Sequence, residues 1–247
     1  MTALIDRPPE ARTSRPKSRI LGVVRLQFTN RQTFIWVPLL ILTGAWLITL
    51  IIHWIIASAG VDGPMYSGSS QAPLWYFAIV GAQAVNLTFY FSQAMSLTRR
   101  EFCLGSFLAA AISAVGMSAV FVVMGFIEQA TDGYGMNGYV SYLPWVWEHG
   151  PLGAGFVYFV LTILCYILGF WFAIVYKRFG TLILTSSLIA IALALLAGAA
   201  WVNVNRAWPE VWAALVDAQA VGLALWALGL SAVFALGSYL TVRRLTT

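Results

Sequence analysis

The chain has 247 residues, of which 60% are hydrophobic and only 9% are charged, and its formal net charge is +5. Its long unbroken apolar runs exclude a transmembrane β-barrel, whose strands alternate in segments of about ten residues, and indicate an all-α polytopic membrane protein. No aromatic-interleaved basic surface accompanies the positive charge, so membrane lipids are the expected partners of that charge and nucleic acid is not.

The N-terminal region divides into two parts. Residues 1–17 are rich in Arg, Pro, Ser and Thr, which predicts a disordered basic cytoplasmic tail. Residues 18–35 predict an amphipathic interfacial helix, because polar or small residues recur every three or four positions: Ser18, Gly22, Arg25, Thr29 and Gln32. The alternative is that this segment is the start of the first membrane span.

Six apolar runs follow within residues 36–247, which we expect to form a six-helix transmembrane domain. None of the runs contains Asp, Glu, Lys or Arg. Roughly 20 apolar residues cross a hydrocarbon core about 30 Å thick, so each run is long enough for one crossing. The predicted spans are 36–59, 74–97, 104–127, 152–176, 181–202 and 220–241.

The basic residues predict the orientation of these spans. Thirteen of the 14 Lys and Arg residues fall before span 1 or just after spans 2, 4 and 6, and only Arg206 falls on the other side. Positive residues in short loops are retained in the cytoplasm, so both termini are expected to be cytoplasmic. The loops after spans 1, 3 and 5 then face outward, and six of the nine acids, Glu128 among them, are assigned to those loops.

The second span carries the most polar face. Four polar side chains are spaced by three, four and three residues and form one helical stripe: Gln83, Asn86, Tyr90 and Gln93. An amide without a partner in hydrocarbon costs several kcal/mol, so the stripe should face protein or water. Contact between helices of one bundle, a subunit interface and a translocation path all fit this pattern.

Two outer loops have their own patterns. The loop from Glu128 to Pro151 is rich in Tyr and Trp, which we expect to rest at the outer membrane interface. In the last outer loop, apolar residues recur with helical spacing after Pro209, which predicts a short amphipathic helix over residues 207–217. This helix is too short to cross and should be interfacial or re-entrant.

Catalytic and metal-binding motifs are missing from the sequence. There is no phosphate-binding G-x-x-x-x-G-K-[ST], no H-E-x-x-H, and no His or Cys spacing typical of a metal site. The lone intramembrane His53 is more typical of a hydrogen-bonded packing residue than of a proton relay. We therefore expect no enzyme, no cofactor in this chain, and no ion-coupled pump, since the spans contain no charges.

The loop after span 2 is a candidate contact for a partner. It reads TRREFCLGS over residues 98–106, so Arg99, Arg100, Glu101 and Phe102 alternate charge with an aromatic ring before Gly105. A short helix here would present these side chains to a docked cytoplasmic protein. A simple positively charged tether that only orients the spans fits the two arginines equally well.

The order of these features resembles the permease subunits of ABC exporters of the ABC-2 class, particularly the compact actinobacterial ones. The likeness rests mainly on RLQFTNRQTFIWVP at residues 25–38 and on TRREFCLGS, while the architecture covers nearly the whole chain. The resemblance implies an ATP-driven exporter in a bacterial plasma membrane. Two P-loop ATPase subunits, which hold the ATP and Mg²⁺, would pair with two permease copies as a homodimer or heterodimer.

The resemblance also implies roles for particular residues. Arg99, Arg100, Glu101 and Phe102 would couple to the ATPase, and Arg25 and Arg31 would brace the same contact. The substrate is left open, although an apolar, aromatic membrane region suits amphipathic cargo. The alternative function is a passive channel or a structural assembly subunit, in which the Gln83–Gln93 stripe serves only assembly.

Overall fold

The computed structural model of the chain describes residues 16–29, 31–61, 63–88 and 98–243. Six α-helices dominate this part: α1 Pro16–Thr29, α2 Val37–Ser58, α3 Gln71–Gln83, α4 Arg99–Ala130, α5 Gly150–Val204 and α6 Trp208–Arg243. Three π-helical turns lie at Gln32–Trp36, Ala84–Thr88 and Gly133–Asn137. The expected helical fold is therefore confirmed. The tail 1–15 and the end 244–247 lie outside the described residues.

Four helical stretches of the described chain are long and apolar enough to cross a membrane: Gln32–Ser58, Arg99–Ala130, Gly150–Val204 and Trp208–Thr241. Helix α5 would be about 80 Å long if it were straight, far more than one crossing needs. Its backbone bends at Gly180, whose φ of 80° favours glycine. The bend separates an arm over 150–179 from an arm over 181–204, which match the predicted fourth and fifth spans.

The predicted second span is described only as far as Thr88, and its remainder lies outside the described residues. The count of six spans and the orientation therefore stay predictions, while a membrane-embedded helical protein is what the four long apolar helices support.

The short helix predicted over 207–217 is present as the first part of α6. The helix begins at Trp208 with Pro209 in its first turn, and it breaks at Gln219, where φ is 52° and ψ is 178°. The side-chain amide of Gln219 donates a hydrogen bond of 2.9 Å to a carboxylate oxygen of Glu148, which ties this break to the start of α5. The placement of the short helix relative to a membrane stays a prediction.

The first arm of α5 is the centre of the core. Its closest neighbour is α3, because a Cβ at Gly169 would overlap the carbonyl oxygen of Ala78, and one at Gly81 would overlap that of Tyr166. The two backbones therefore touch with no side chain between them, as small residues allow at membrane helix interfaces. Lys177 extends this contact by donating a hydrogen bond of 2.8 Å to the carbonyl of Val85.

Two other helices pack on the same arm. Helix α4 contacts it through Phe121, whose ring stacks on Tyr158 with centroids 4.4 Å apart, and through Phe107 against Phe170 at 5.1 Å. The second part of α6 contacts it through the rings of Phe234 and Trp171, 5.1 Å apart. Stacked and edge-on aromatic pairs of this kind add to the apolar packing of helices that share one core.

The second arm of α5 contributes little to that core. Its side chains are exposed on almost every side, with Leu182 82% exposed, Leu195 71% and Trp201 67%. Apolar surface of this extent needs lipid or another chain as its neighbour.

Replacing Gly169 with Leu tests the contact between α3 and α5. The added side chain has no space against the backbone of α3, so we expect a free energy of unfolding lower by about 1–3 kcal/mol or more. The control is Gly198→Leu, because nothing lies within 4 Å of a Cβ there. Thermal unfolding of the detergent-solubilised protein should show a lower midpoint for the first variant only, and equal midpoints would contradict the contact.

Candidate functional site

The segment that resembles a coupling loop begins α4 with a capping box. The Thr98 hydroxyl oxygen accepts a hydrogen bond of 3.2 Å from the backbone N–H of Glu101, and the Glu101 carboxylate accepts one of 2.9 Å from the N–H of Thr98. These reciprocal bonds satisfy two N–H groups at the helix start and fix where α4 begins. The carboxylate also places negative charge in the first turn, where the helix dipole favours it.

The four predicted coupling residues are therefore not equivalent. Arg100 is exposed and Arg99 is partly buried, whereas Phe102 is 1% exposed and its ring stacks on Phe170 at 6.3 Å. The sequence led us to expect the Phe102 ring on the surface, and this expectation is wrong because the ring is buried. The Glu101 carboxylate accepts a hydrogen bond from the start of its own helix. The coupling role of all four residues stays a prediction, in which Phe102 would act from inside the core.

Helix α1 packs directly on the start of α4. A Cβ at Gly105 would clash with the side chain of Val23, so this glycine permits the close approach of the two helices. Beside it, the Gln27 side-chain amide donates a hydrogen bond of 3.1 Å to the hydroxyl of buried Ser106. Because both contacts lie in the first turns of α4, α1 and the capped start of α4 form one unit, which we call the α1–α4 platform.

The polar face predicted for α1 is exposed where its side chains are described. Gly22, Arg25, Thr29 and Gln32 are all exposed, while Val23 is buried against α4. Arg31 is also exposed, at the start of the π-helical turn that leads into α2. The platform thus carries exposed Arg25 and Arg100 and the polar face of α1, while exposed Arg31 follows α1 in the chain. Whether that face lies on a membrane surface stays a prediction.

The polar stripe of the second predicted span is only partly described. Gln83 is partly buried and Asn86 is exposed, while Tyr90 and Gln93 lie outside the described residues. A π-helical turn over Ala84–Thr88 interrupts the α-helical spacing on which the stripe was based. Its role as a translocation path or dimer interface stays a prediction.

At the opposite end of α4, Glu128 holds the folded loop over residues 131–149, which we call the cap. The assignment of Glu128 to an outer loop is wrong, because this residue is in the last turn of α4 and is fully buried. Its carboxylate accepts hydrogen bonds from three successive backbone N–H groups, those of Val140 at 3.0 Å, Ser141 at 2.9 Å and Tyr142 at 2.7 Å. These three backbone donors offset part of the cost of burying the carboxyl group.

Tyr134 links this carboxylate to α2. Its hydroxyl bonds to Glu128 and accepts a hydrogen bond of 3.0 Å from the indole N–H of Trp46. Burial raises the pKa of the Tyr134 phenol, so the hydroxyl remains protonated at neutral pH. The α4 carboxylate, the cap and α2 are therefore joined through one tyrosine.

Two further hydrogen bonds fix the cap from α5 and from the loop itself. The Tyr158 hydroxyl and the Trp147 indole both donate to the carbonyl of Ser141, at 2.9 Å and 3.0 Å. Trp147 is 7% exposed, so the expectation that the loop aromatics rest at the membrane interface is wrong for this residue, whereas Trp145 is 55% exposed. The same loop pairs strand β2, Gly138–Tyr139, in parallel with strand β1, Met65–Tyr66.

His53 lies beneath this cap. It is 4% exposed and sits so close to Gly138 that a Cβ there would overlap its ring. Its Nδ1 atom has no hydrogen-bond partner among the described residues. The contact with Gly138 supports the packing role of His53, but the hydrogen bond that we expected with it is not found at Nδ1 in the described part of the chain. In the part of the chain that the structure describes, no group of three or more His, Cys, Asp or Glu residues is arranged to hold a metal ion.

Comparison with family models, with curated proteins and with solved structures finds no match to the chain.

Replacing Glu128 with Ala tests the cap. The substitution leaves three inward-facing N–H groups without their acceptor, at a cost of about 1–3 kcal/mol for each unsatisfied group. We expect faster hydrogen exchange at residues 140–142 and a lower thermal midpoint. Glu210→Ala is the matched control, because Glu210 is exposed. Unchanged exchange at 140–142 in the Glu128 variant would show that the carboxylate does not hold the cap.

Proposed function

We propose that the chain is the membrane-spanning permease subunit of an ATP-driven exporter of the ABC type, with P-loop ATPase subunits docking on the α1–α4 platform. The observation that carries the proposal is this platform, in which the capped start of α4, with exposed Arg100, packs directly on α1, with exposed Arg25. The sequence contains no phosphate-binding loop of its own, so energy from ATP would have to come from a partner chain.

In the proposed topology, six spans cross a bacterial plasma membrane and both termini are cytoplasmic. The charge distribution supports this orientation, in which the platform and the bend at Gly180 would be cytoplasmic and the Glu128 cap would face outward. A second permease copy, identical or related, would cover exposed apolar surface such as the second arm of α5.

The contacts along α4 offer a physical route for the proposed coupling. Movement of the platform by a closing ATPase pair would displace the start of α4, where Phe102 stacks on Phe170. Further along, the Phe121 ring contacts Tyr158, whose hydroxyl holds the cap at Ser141. Packed side chains shift between discrete arrangements, so a displacement at one end can change the other. The cap is then the part whose opening would release cargo outward.

Reversing one exposed charge tests the docking surface. With the chain co-expressed with its neighbouring genes, we expect a P-loop ATPase to co-purify, and Arg100→Glu to lower its recovery about tenfold, because reversing a charge at a docked interface costs roughly 1.4 kcal/mol or more. Arg206→Glu is the control, since Arg206 is exposed and lies on the predicted outer side. Equal ATPase recovery with both variants, or no ATPase with the wild-type chain, would refute the proposal.

Single cysteines test the orientation independently of any partner. In a background with Cys103 and Cys165 replaced by Ala, we expect Asn205→Cys to react with a membrane-impermeant maleimide in intact cells. Arg178→Cys should react only after the cells are permeabilised. Both side chains are exposed, so access to the reagent is decided by the side of the membrane. Reaction of Arg178→Cys in intact cells would contradict the proposed topology.

A further inference from the structure

The short helix over residues 208–218, at the start of α6, has no buried residue. Trp212, for example, is 70% exposed, and the second arm of α5, which precedes the short helix, is exposed as well. Burial begins abruptly after Gln219, because Ala220 is 2% exposed and Ala224 is 3% exposed. Side-chain packing against the core therefore fixes α6 after Gln219 but does not fix the short helix before it.

The backbone is strained at the junction between these two parts. Gln219 has a φ of 52° and a ψ of 178°, a combination that favours glycine because a Cβ there crowds the neighbouring backbone. An ordinary helical conformation at this one residue would make α6 one continuous helix of 36 residues, about 54 Å long. We call the observed conformation bent and the continuous helix straight. The strain disfavours the bent state by a factor of about 5 to 150 in population.

A hydrogen bond to the cap opposes this strain. The side-chain amide of Gln219 donates it to a carboxylate oxygen of Glu148 at 2.9 Å, in the last residues of the cap before α5. Glu148 is exposed, so the bond competes with water and favours the bent state by a factor of about two to ten. The strain and the hydrogen bond thus act in opposite directions with overlapping magnitudes, which is the condition for a two-state element.

A turn at the other end of the short helix also allows it to reorient. Arg206 has a φ of 53°, in the left-handed region that few residues other than glycine adopt. Its N–H donates a hydrogen bond of 3.1 Å to the carbonyl of Asn203, and the N–H of Ala207 donates one of 3.0 Å to that of Val202. Residues at the ends of helices absorb changes in φ and ψ while the helices keep their shape. The short helix therefore lies between two such positions.

We infer that residues 208–218 form a hinged strap that reorients about Gln219, and that the hydrogen bond between Gln219 and Glu148 holds the strap in the bent state. Release of Gln219 lets its backbone relax to a helical conformation, which swings the strap away from the cap and the start of α5. The inference goes beyond the proposed export function and does not depend on it, because the position of the strap is measured on the chain without an ATPase.

The distance between two spin labels tests the strap. The labels are placed at Glu210→Cys on the strap and Val115→Cys on α4, both exposed, in the full chain with Cys103 and Cys165 replaced by Ala. Position 210 is about 13 Å from the hinge at 1.5 Å per residue, so a reorientation of about 60° displaces its label by a similar distance. Double electron–electron resonance in lipid nanodiscs should resolve two distance populations, the bent and the straight state.

Two substitutions of the hinge residue isolate the backbone strain. Gln219→Gly and Gln219→Ala both remove the hydrogen bond to Glu148, but only glycine adopts the observed φ and ψ without strain. We expect the ratio of bent to straight state to be about 5 to 150 times larger in the glycine variant than in the alanine variant. Identical distance distributions in the two variants would overturn the inference.

Removing the acceptor tests what holds the strap. Glu148→Ala keeps the strain at Gln219 and removes the hydrogen bond, so we expect the ratio of bent to straight state to fall about twofold to tenfold. Asp132→Ala, at another exposed acid of the cap, is the matched control and should leave the ratio unchanged. An unchanged ratio in Glu148→Ala would overturn the assigned role of Glu148, and this comparison stands even if a Gln219 variant fails to fold.

Discussion

The direct contact between the backbones of α3 and α5 is the interaction on which the rest of the structure depends. In a membrane, helices gain little from hydrophobic burial against each other, so close packing has to supply the attraction. Gly81 and Gly169 provide it by removing the side chains that would hold the two helices apart. The first arm of α5 is thereby fixed, and α4 and the second part of α6 pack on its other faces.

Glu128 and the start of α4 show how this one helix joins the two ends of the molecule. At its N-terminus the capping box and the contact with α1 form a polar platform that carries exposed arginines. At its C-terminus a buried carboxylate organises a loop by accepting hydrogen bonds from three backbone amides. A permease of the proposed kind needs a surface that binds the ATPase and a gate that the ATPase moves. The proposed function assigns these two tasks to the two ends of α4.

The positions of the helices could be predicted from the sequence because apolar run length and proline placement are local signals. The bend at Gly180 falls between two predicted spans, and the helix that begins at Trp208 has Pro209 in its first turn, as its pattern indicated. The role of Glu128 could not be predicted, because its partners are backbone amides of a loop and carry no side-chain signature. An acid at the end of an apolar run is indistinguishable in the sequence from a solvated loop charge.

The sequence also could not predict which particular residues pack against each other. Nothing in the sequence distinguishes Gly81 and Gly169 from the other glycines of the chain, and the burial of Phe102 follows from Phe170, a residue distant in the sequence. The prediction of a polar stripe in the second span required an uninterrupted α-helix, and a π-helical turn at Ala84–Thr88 interrupts it.

The proposed docking is tested most directly by a cryo-electron microscopy structure of the chain co-expressed with the products of its neighbouring genes. We expect a P-loop ATPase against α1 and the first turn of α4, with Arg100 in the contact. An ATPase seated elsewhere on the chain, or a stable assembly that contains no ATPase, would contradict it.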